Sequence, residues 1–382
     1  MSKDINKSKF TQETQTKLEI FSECFREWFP VFLHNPYMNQ IHVYDFFAGS
    51  GTDSDGEPGS PLLLLSEARG ENCSFCSTLR GKNKPVVFHF NEKMKEKAVA
   101  LCEAVARHIK NCEKNCLSTC TFSCPDPTQV AFKDAFHDSS FKAILNNPNY
   151  AKFVLLDQYG FSQVDVEIFS RLILAPATDF IFFISSSYIK RFKDHPSTKQ
   201  YFDTTKITFD ESRPQDCHRQ IADYFQSLVS SRKEYYLHSF TIQKGGNYLG
   251  LIFGSNHTLG MEKFLKVCWG KDPNSGESNC NIDGDWENGT LFRQQGKSNK
   301  RESVKKELRE NILRKEITTS VNGLKHSLQK RCLPSLFIEV IKEMEKAGEV
   351  SLSCVDGSKP SYAATNIHKV KEFQIHLNTS KS

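Results

Sequence analysis

Four acids stand at or near the ends of apolar segments and are the residues of this chain best placed to do chemistry: Asp45, Glu92, Asp134 and Asp157. After the first comes Ala48-Gly49-Ser50-Gly51, where Gly49 and Gly51 let the backbone turn sharply and approach a ligand with no Cβ in the way. A strand, a glycine turn and a helix N-terminus make a cradle for a nucleotide-type ligand. Tyr159, two residues beyond Asp157, adds a phenol to the same region. The cysteines form a second group. Cys73 and Cys76 make a C-x-x-C, and Cys112, Cys116, Cys120 and Cys124 recur every four residues, which on a helix stacks the four thiols along one face. This set admits a zinc site of Cys73 and Cys76 with two of the four, taken here as Cys112 and Cys116. The better-supported alternative is a cysteine-rich insertion of buried or idle thiols, because zinc sites usually offer paired C-x-x-C knuckles and only one is present.

The charges around the glycine turn narrow the ligand. Asp45, Asp53, Asp55 and Glu57 crowd the stretch 41–65, which holds no Lys or Arg and no Gly-Lys-Ser/Thr. A triphosphate would meet four carboxylates there, so a P-loop is excluded and a nicotinamide dinucleotide fits poorly. A cation with a ribose and an adenine but no phosphate fits better, and S-adenosylmethionine (SAM), a sulfonium, is such a ligand. In that reading Gly49 and Gly51 shape the turn beside Asp45, Glu92 takes the ribose hydroxyls, Asp134 faces the adenine amine, and Asp157 and Tyr159 lie beside the reacting methyl. Glu92 serves equally as an acid at the start of the next helix. Asn147-Pro148-Asn149-Tyr150 resembles an amino-methyltransferase motif but precedes a strand instead of following one, so it reads as a turn. There is no Pro-Cys pair, and so no candidate nucleophile for cytosine C5.

The elements that must position these residues alternate between strand and helix patterns. Apolar spacing at Leu18, Phe21, Phe25, Trp28 and Phe29 predicts an amphipathic helix over 12–34, with no chemistry of its own. Strands are predicted at 41–47, 85–92, 130–136, 152–157 and 179–185. Helices are predicted after Ser60-Pro61, with Ser60 as N-cap, over 92–110, and over 213–231. A hairpin joins 234–243 to 248–253 across Gly245-Gly246, and a helix over 259–269 follows. The pattern predicts an α/β fold with a doubly wound, mostly parallel sheet and ligands beyond the strands' C-terminal ends. The expected division is a helical segment at 1–40, a sheet domain at 41–270 with cysteine-rich insertions at 70–84 and 111–125, a linker at 271–299, and a small domain at 300–382. The last contains three helices and a hairpin, the order of a winged helix, with helix 334–347 as the reader.

Composition sets the outer bounds. The 382 residues are 38% hydrophobic and 12% aromatic, enough for a sizeable core. No apolar run has the length of a membrane span and the N-terminus has no apolar export signal, so a cytoplasmic protein without a membrane partner is expected. The 13 cysteines are then expected as thiols or metal ligands. From Lys297 to Ser382 the chain holds 17 Lys and Arg against 10 Asp and Glu, a net of +7, which leaves 33 against 35 in the other 296 residues. The positive excess of the tail predicts an anionic partner, nucleic acid, through residues 297–382.

DFFAGSG with DGEPGSPLLLL, LLDQYG, DFIFFIS and YLGLIFGSNHTLGMEKFLKVCW resemble the three-Cys-motif partner protein family over residues 18–270, and the tail resembles it more loosely. The resemblance implies a class I methyltransferase-like Rossmann domain with a winged-helix tail. It also implies a radical-SAM-like partner protein that carries the three-cysteine motif. The family usually has Asp-Pro-Tyr-Gly where this chain has Asp157-Gln158-Tyr159-Gly160. Two functions are therefore expected: a SAM-binding methyltransferase-like protein acting on nucleic acid with a partner, or a partner subunit that keeps the fold and transfers nothing. Gln158 and the lack of a general base favour the second modestly.

Overall fold

The structure is a computed structural model that describes residues 8–116, 118–158, 163–185, 210, 212–283, 300–369 and 372–378. By its internal contacts the chain divides into two units, Met1–Asn256 and His257–Ser382.

The first unit is built on a seven-stranded sheet of order β3-β2-β1-β4-β5-β7-β6. Its strands are β1 (Gln40–Asp45), β2 (Val86–Phe90), β3 (Phe122–Ser123), β4 (Tyr150–Leu156), β5 (Thr178–Ser185), β6 (Tyr236–Lys244) and β7 (Asn247–Ser255). Strands β1 to β5 run parallel, and β7 lies antiparallel between β5 and β6. The fold is thus the expected doubly wound, Rossmann-like α/β fold, with its switch point between β1 and β4, where the winding reverses.

Side chains alternate between the two faces of the strands. Toward one face point Val43, Phe88 and Phe153, covered by α1 (Gln12–His34). Phe25 of α1 stands 5.3 Å from Phe153 and 6.3 Å from Phe88, ring to ring. Trp28 Nε1 donates to Asp179 Oδ2 at the start of β5, at 2.7 Å. Each buried Phe here contributes roughly 1.5–3 kcal/mol. The helix continues past Pro30 to His34 because Leu33 is also buried, which offsets the lost backbone bond. Ser22 and Arg26 of α1 both donate to Glu67 of α2 (Ser60–Arg69).

The other face carries Tyr44, Phe46, Val154, Leu156, Phe180 and Phe182 in one apolar cluster. Covering it are α5 (Phe132–His137), α6 (Ser139–Leu145), α7 (Val166–Leu174) and α8 (Cys217–Leu228). Before them in the chain come α3 (Ser74–Lys82) and α4 (Lys95–Cys116). The same face buries a polar ladder: His42 Nδ1 meets His89 Nε2 at 3.0 Å, and Lys152, fully buried, donates to the Asn147 carbonyl at 2.8 Å. Burial, with the neighbouring ring and Lys152, lowers the His42 pKa to about 4, and burial lowers that of His89 to about 4.

Two expectations of the sequence are corrected here. Residues 130–136 do not form the third strand. Phe132 and Phe136 lie four apart on α5 and both are buried, a helical period that outweighs the strand-like composition. The third strand is Phe122–Ser123, at the sheet edge. Nor is Ser60 a capping side chain: Gly59 is the N-cap of α2, and the Ser60 hydroxyl is committed elsewhere.

The second unit holds α9 (Thr258–Lys271), α10 (Lys300–Leu313), α11 (Ser320–Gln329), α12 (Ser335–Lys346), the short α13 (Asn366–Lys369), and an antiparallel pair, β8 (Val350–Ser353) with β9 (Gln374–Leu377). The first part of the expected linker is folded. Asp272 is buried and accepts from the backbone of Asn274, Ser275, Glu277 and Ser278. Residues 284–299 lie outside the described residues.

Candidate functional site

At the C-terminal end of β1, Asp45 is fully buried. Its Oδ2 accepts from the Ser60 hydroxyl at 2.6 Å and its Oδ1 from the Phe47 N–H at 3.1 Å, so one carboxylate ties the strand to the start of α2. Burial pushes its pKa up to about 7, against the lowering effect of those two hydrogen bonds. Asp157 raises it further and Lys17 lowers it.

Beyond Asp45 the chain makes the glycine turn. Gly49 and Gly51 have φ of 65° and 82°, the left-handed region that favours glycine. A Cβ on Gly51 would stand 3.1 Å from Ala104 and Leu101, both on α4. Glu92, two residues past β2, closes the turn from the side: its Oε2 accepts from the Gly49 N–H at 3.1 Å and its Oε1 from the Met94 N–H at 2.8 Å. Each oxygen keeps a further acceptor site for a ligand hydroxyl. The two readings of Glu92, ribose acid and acid at a helix start, are thus compatible.

The acidic loop is less open to a ligand than its composition implies. Asp53 is buried and accepts from the backbone of Phe10, Asp55 and Glu57. Burial opposes its ionisation, yet these N–H donors hold its pKa below the usual value. Asp55 pairs with Lys9 at 2.7 Å. Asp53 is therefore a structural knot of the loop.

Asp157 follows β4, the neighbour of β1 across the switch point, and sequence reasoning missed its partner. Lys17 of α1 lies 2.5 Å from its Oδ2, with only 11% and 17% of the two side chains exposed. The same ammonium stands 4.8 Å from the ring centre of Phe183 on β5. So α1 is no bare packing helix. It delivers a cation to the crevice, from a position 140 residues away in the chain. Gln158 is 1% exposed, and its Oε1 accepts from the backbone of Gln163 and Val164. Its Nε2 is buried and has no partner among the described residues. Tyr159 lies outside the described residues.

Asp134 is the site residue that the fold moves. It sits exposed in the first turn of α5 and not at a strand end. Asp45, Glu92 and Asp157 remain together at the ends of the three adjacent strands β2, β1 and β4. Asn147-Pro148-Asn149 forms the expected turn ahead of β4, with the Asn149 N–H donating to Asn147 Oδ1.

The zinc expectation is corrected. Cys73 and Cys116 form a disulfide, which takes both sulfurs out of any metal set, and no cluster of metal ligands occurs among the described residues. Helix α4 is longer than predicted and ends at Cys116, so Cys112 and Cys116 share a helix while Cys120 and Cys124 lie beyond it. The insertion at 70–84 is helical as well, as α3.

In the second unit, α12 buries Leu336, Phe337, Val340, Ile341 and Met344. Two of its acids, Glu339 and Glu343, pair with Arg301 and Lys305 of α10. Lys330 pairs with Glu307, while Arg331 and Lys300 pair with the buried Glu277. These pairs fix several cations of the tail in place, but Glu307, Glu339 and Glu343 are already counted in its net of +7, so the positive excess remains. The side chains of Lys369 and Lys371 lie outside the described residues. No helix among the described residues is long and apolar enough to cross a membrane.

No protein-family model matches the chain, and no curated protein matches it either. Among solved structures the chain is similar to the O-methyltransferase TomG from Streptomyces achromogenes, which is involved in tomaymycin synthesis and was solved in complex with SAM. That likeness has 9% identity and a TM-score of 0.31, over 65% of this chain and 90% of that one. It is also similar to human methyltransferase 10 domain containing protein, with 10% identity and a TM-score of 0.29 over 62% of this chain and 82% of that one. A third likeness is to the methyltransferase domain of METTL16, with 10% identity and a TM-score of 0.27 over 61% of this chain and 80% of that one. The strand order described above, and not these distant likenesses, establishes the fold.

Proposed function

We propose that the chain is a SAM-binding, methyltransferase-like protein whose ligand sits in the crevice beyond β2, β1 and β4. The observation that carries this reading is the closure of the glycine turn by Glu92, beside Asp45 and Asp157, at the switch point of the sheet. The turn supplies backbone approach, Glu92 accepts the ribose hydroxyls, and the acidic surroundings suit a sulfonium better than a phosphate. When bound, SAM supplies an electrophilic methyl group, and the work of the chain is positioning. Asp157, oriented by Lys17, lines the transfer side with Tyr159 next in sequence, and Asp134 reaches the adenine from α5.

In the same reading the chain belongs with the three-Cys-motif partner proteins. It acts in the cytoplasm on nucleic acid, together with a radical-SAM-like protein. The tail serves as a winged-helix module that contacts phosphates from the segments flanking α12, since Glu339, Glu343 and Glu345 offset Lys342 and Lys346 on that helix and oppose groove reading. One observation favours a non-catalytic partner subunit instead: Lys17 already pairs with the Asp157 carboxylate, the base expected at the transfer position among the described residues.

Titration calorimetry with SAM and with S-adenosylhomocysteine tests the cofactor assignment, with micromolar binding of about −8 kcal/mol expected. No heat with either ligand, but tight binding of a nicotinamide dinucleotide, would overturn it. Tritium transfer from labelled SAM to RNA, DNA or a copurified protein separates the enzyme from the silent subunit. Nucleic-acid affinity through the tail should fall with salt at a log–log slope of about −3 to −5.

A further inference from the structure

The cysteine-rich insertions, which the cofactor crevice does not use, converge on one place. Cys73, at the start of α3, is bonded to Cys116, the last residue of α4, and both are only partly buried. One turn before Cys116, on the same face of α4, is Cys112. Cys76, Cys112, Cys116 and Cys120 line a single small cavity together with Arg69 and Arg80. Eleven other cysteines stay free, including the remaining four of the insertions. A structural disulfide framework of an oxidising compartment pairs its cysteines, whereas one bond amid many thiols is the pattern of an exchangeable bond.

The free thiols are not equivalent. Burial raises the pKa of Cys76 and Cys120, and pushes that of Cys124 up to about 12, which disfavours their thiolate forms. Cys112 has the surroundings of a nucleophile. His108 Nε2 stands 3.6 Å from its sulfur, and the Arg69 guanidinium donates to the same sulfur at 4.0 Å. Burial, then Arg69, lowers the His108 pKa, which leaves the ring neutral and a weaker base than an ordinary histidine, so its place beside the sulfur and not its basicity suits it to accept the S–H.

We propose that the insertion is a thiol–disulfide exchange centre in which Cys112 is the attacking thiol, Cys73–Cys116 is the exchanged bond, and a small thiol of the glutathione class is the co-reactant. The Cys112 proton passes to His108, and the thiolate attacks Cys116 Sγ. A Cys112–Cys116 bond forms as the Cys73–Cys116 bond breaks, and Cys73 leaves as a thiolate that takes up the proton. Cys112 is oxidised as Cys73 is reduced, so the step has no net redox change. Two equivalents of the small thiol then reduce Cys112–Cys116 through a mixed disulfide, giving two protein thiols and one oxidised small disulfide. The last residues of α4 must loosen for the new bond to close, and Cys116 is placed where the helix already ends. The physical result is release of α3 from α4.

Timed alkylation and mass spectrometry of the full chain in glutathione buffers tests the proposal. Loss of the Cys73–Cys116 bond should be at least tenfold slower in Cys112→Ser than in the parent chain, and the pH profile of the rate should shift in His108→Gln. Equal rates in the parent and Cys112→Ser would overturn the proposal. A second arm does not depend on the stability of that variant: in Cys73→Ser, oxidised glutathione should yield a Cys112–Cys116 bond. Recovery of Cys116 as a free thiol or as a lasting glutathione adduct, with Cys112 unmodified, would overturn it as well.

Discussion

Lys17, in the first helix, and Asp157, at the end of β4, form a mostly buried ion pair at 2.5 Å. The pair fastens α1 to the switch point of the sheet and decides the charge of the crevice. Removing the cation alone strands a carboxylate in poor solvent. Lys17→Met should therefore cost about 3 kcal/mol, the low end for a buried pair. Adding Asp157→Asn should restore much of that loss. Chemical denaturation of both single variants and the double variant measures it, and additive losses would mean that the two residues are not coupled.

Glu92 accepts from Gly49 and from Met94, so its carboxylate is held in place before any ligand arrives. Glu92→Gln keeps the shape but replaces one acceptor oxygen with a donor. SAM affinity should weaken roughly 10- to 100-fold, the range for loss of a hydrogen bond to a charged group. Calorimetry reads the change, and an unaltered affinity would remove Glu92 from the cofactor site.

The paired rings His42 and His89 give a pH signature. Both fold with pKa values of about 4 against an ordinary 6.5, so the unfolded chain binds more protons between those values. Their contribution is intact above pH 6.5 and lost as the pH falls toward 4. Asp45 acts in the opposite sense. Its pKa rises from 3.8 to about 7, so its burial costs little in acid and is fully felt above pH 7. Relative to the parent chain, a His42→Gln/His89→Gln variant should gain stability as the pH falls from 6.5 to 4. Asp45→Asn should gain it as the pH rises from 4 to 7. Each difference should follow a slope of at most about 1.4 kcal/mol per pH unit per group. Parallel stability–pH curves for parent and variant would contradict the assignment.

Gly250 on β7 gives a packing test away from the crevice. A Cβ there would stand 2.1 Å from the buried ring of His218. Gly250→Ala should cost about 1–3 kcal/mol by overpacking, with cofactor affinity unchanged. Denaturant unfolding beside calorimetry checks both halves of that expectation.

The strands β1, β2, β4 and β5 and the Gly245-Gly246 hairpin were legible in the sequence because each is a short apolar run bounded by turn residues. Asp45, Glu92 and Asp157 were legible for the same reason, as acids just past such runs. The segment 130–136 misled because aromatic composition favours a strand, although the four-residue spacing of Phe132 and Phe136 was the better signal. Lys17 had no signal at all. It is one lysine on the polar side of an amphipathic helix, and only the three-dimensional path of the chain brings it to Asp157. The disulfide was hidden for the related reason that six nearby cysteines allow many pairings, and only the placement of α3 against α4 selects one.

The two halves of the sheet differ in how far the chain must search to make them. Strands β6 and β7 close across a two-residue turn, and such hairpins form in about 1–10 μs. Strand β1 must instead find β4, with Gln40 opposite Tyr150 after the whole of α2 to α6 has intervened. Distant parallel pairings are slow because the intervening chain must be ordered before they bring any gain. The crevice is therefore expected to be among the last features to assemble. A chain caught partway would carry a finished edge hairpin and no cradle, so a ligand cannot guide the early search. It can only hold the completed sheet, by mass action, once β1 and β4 have met.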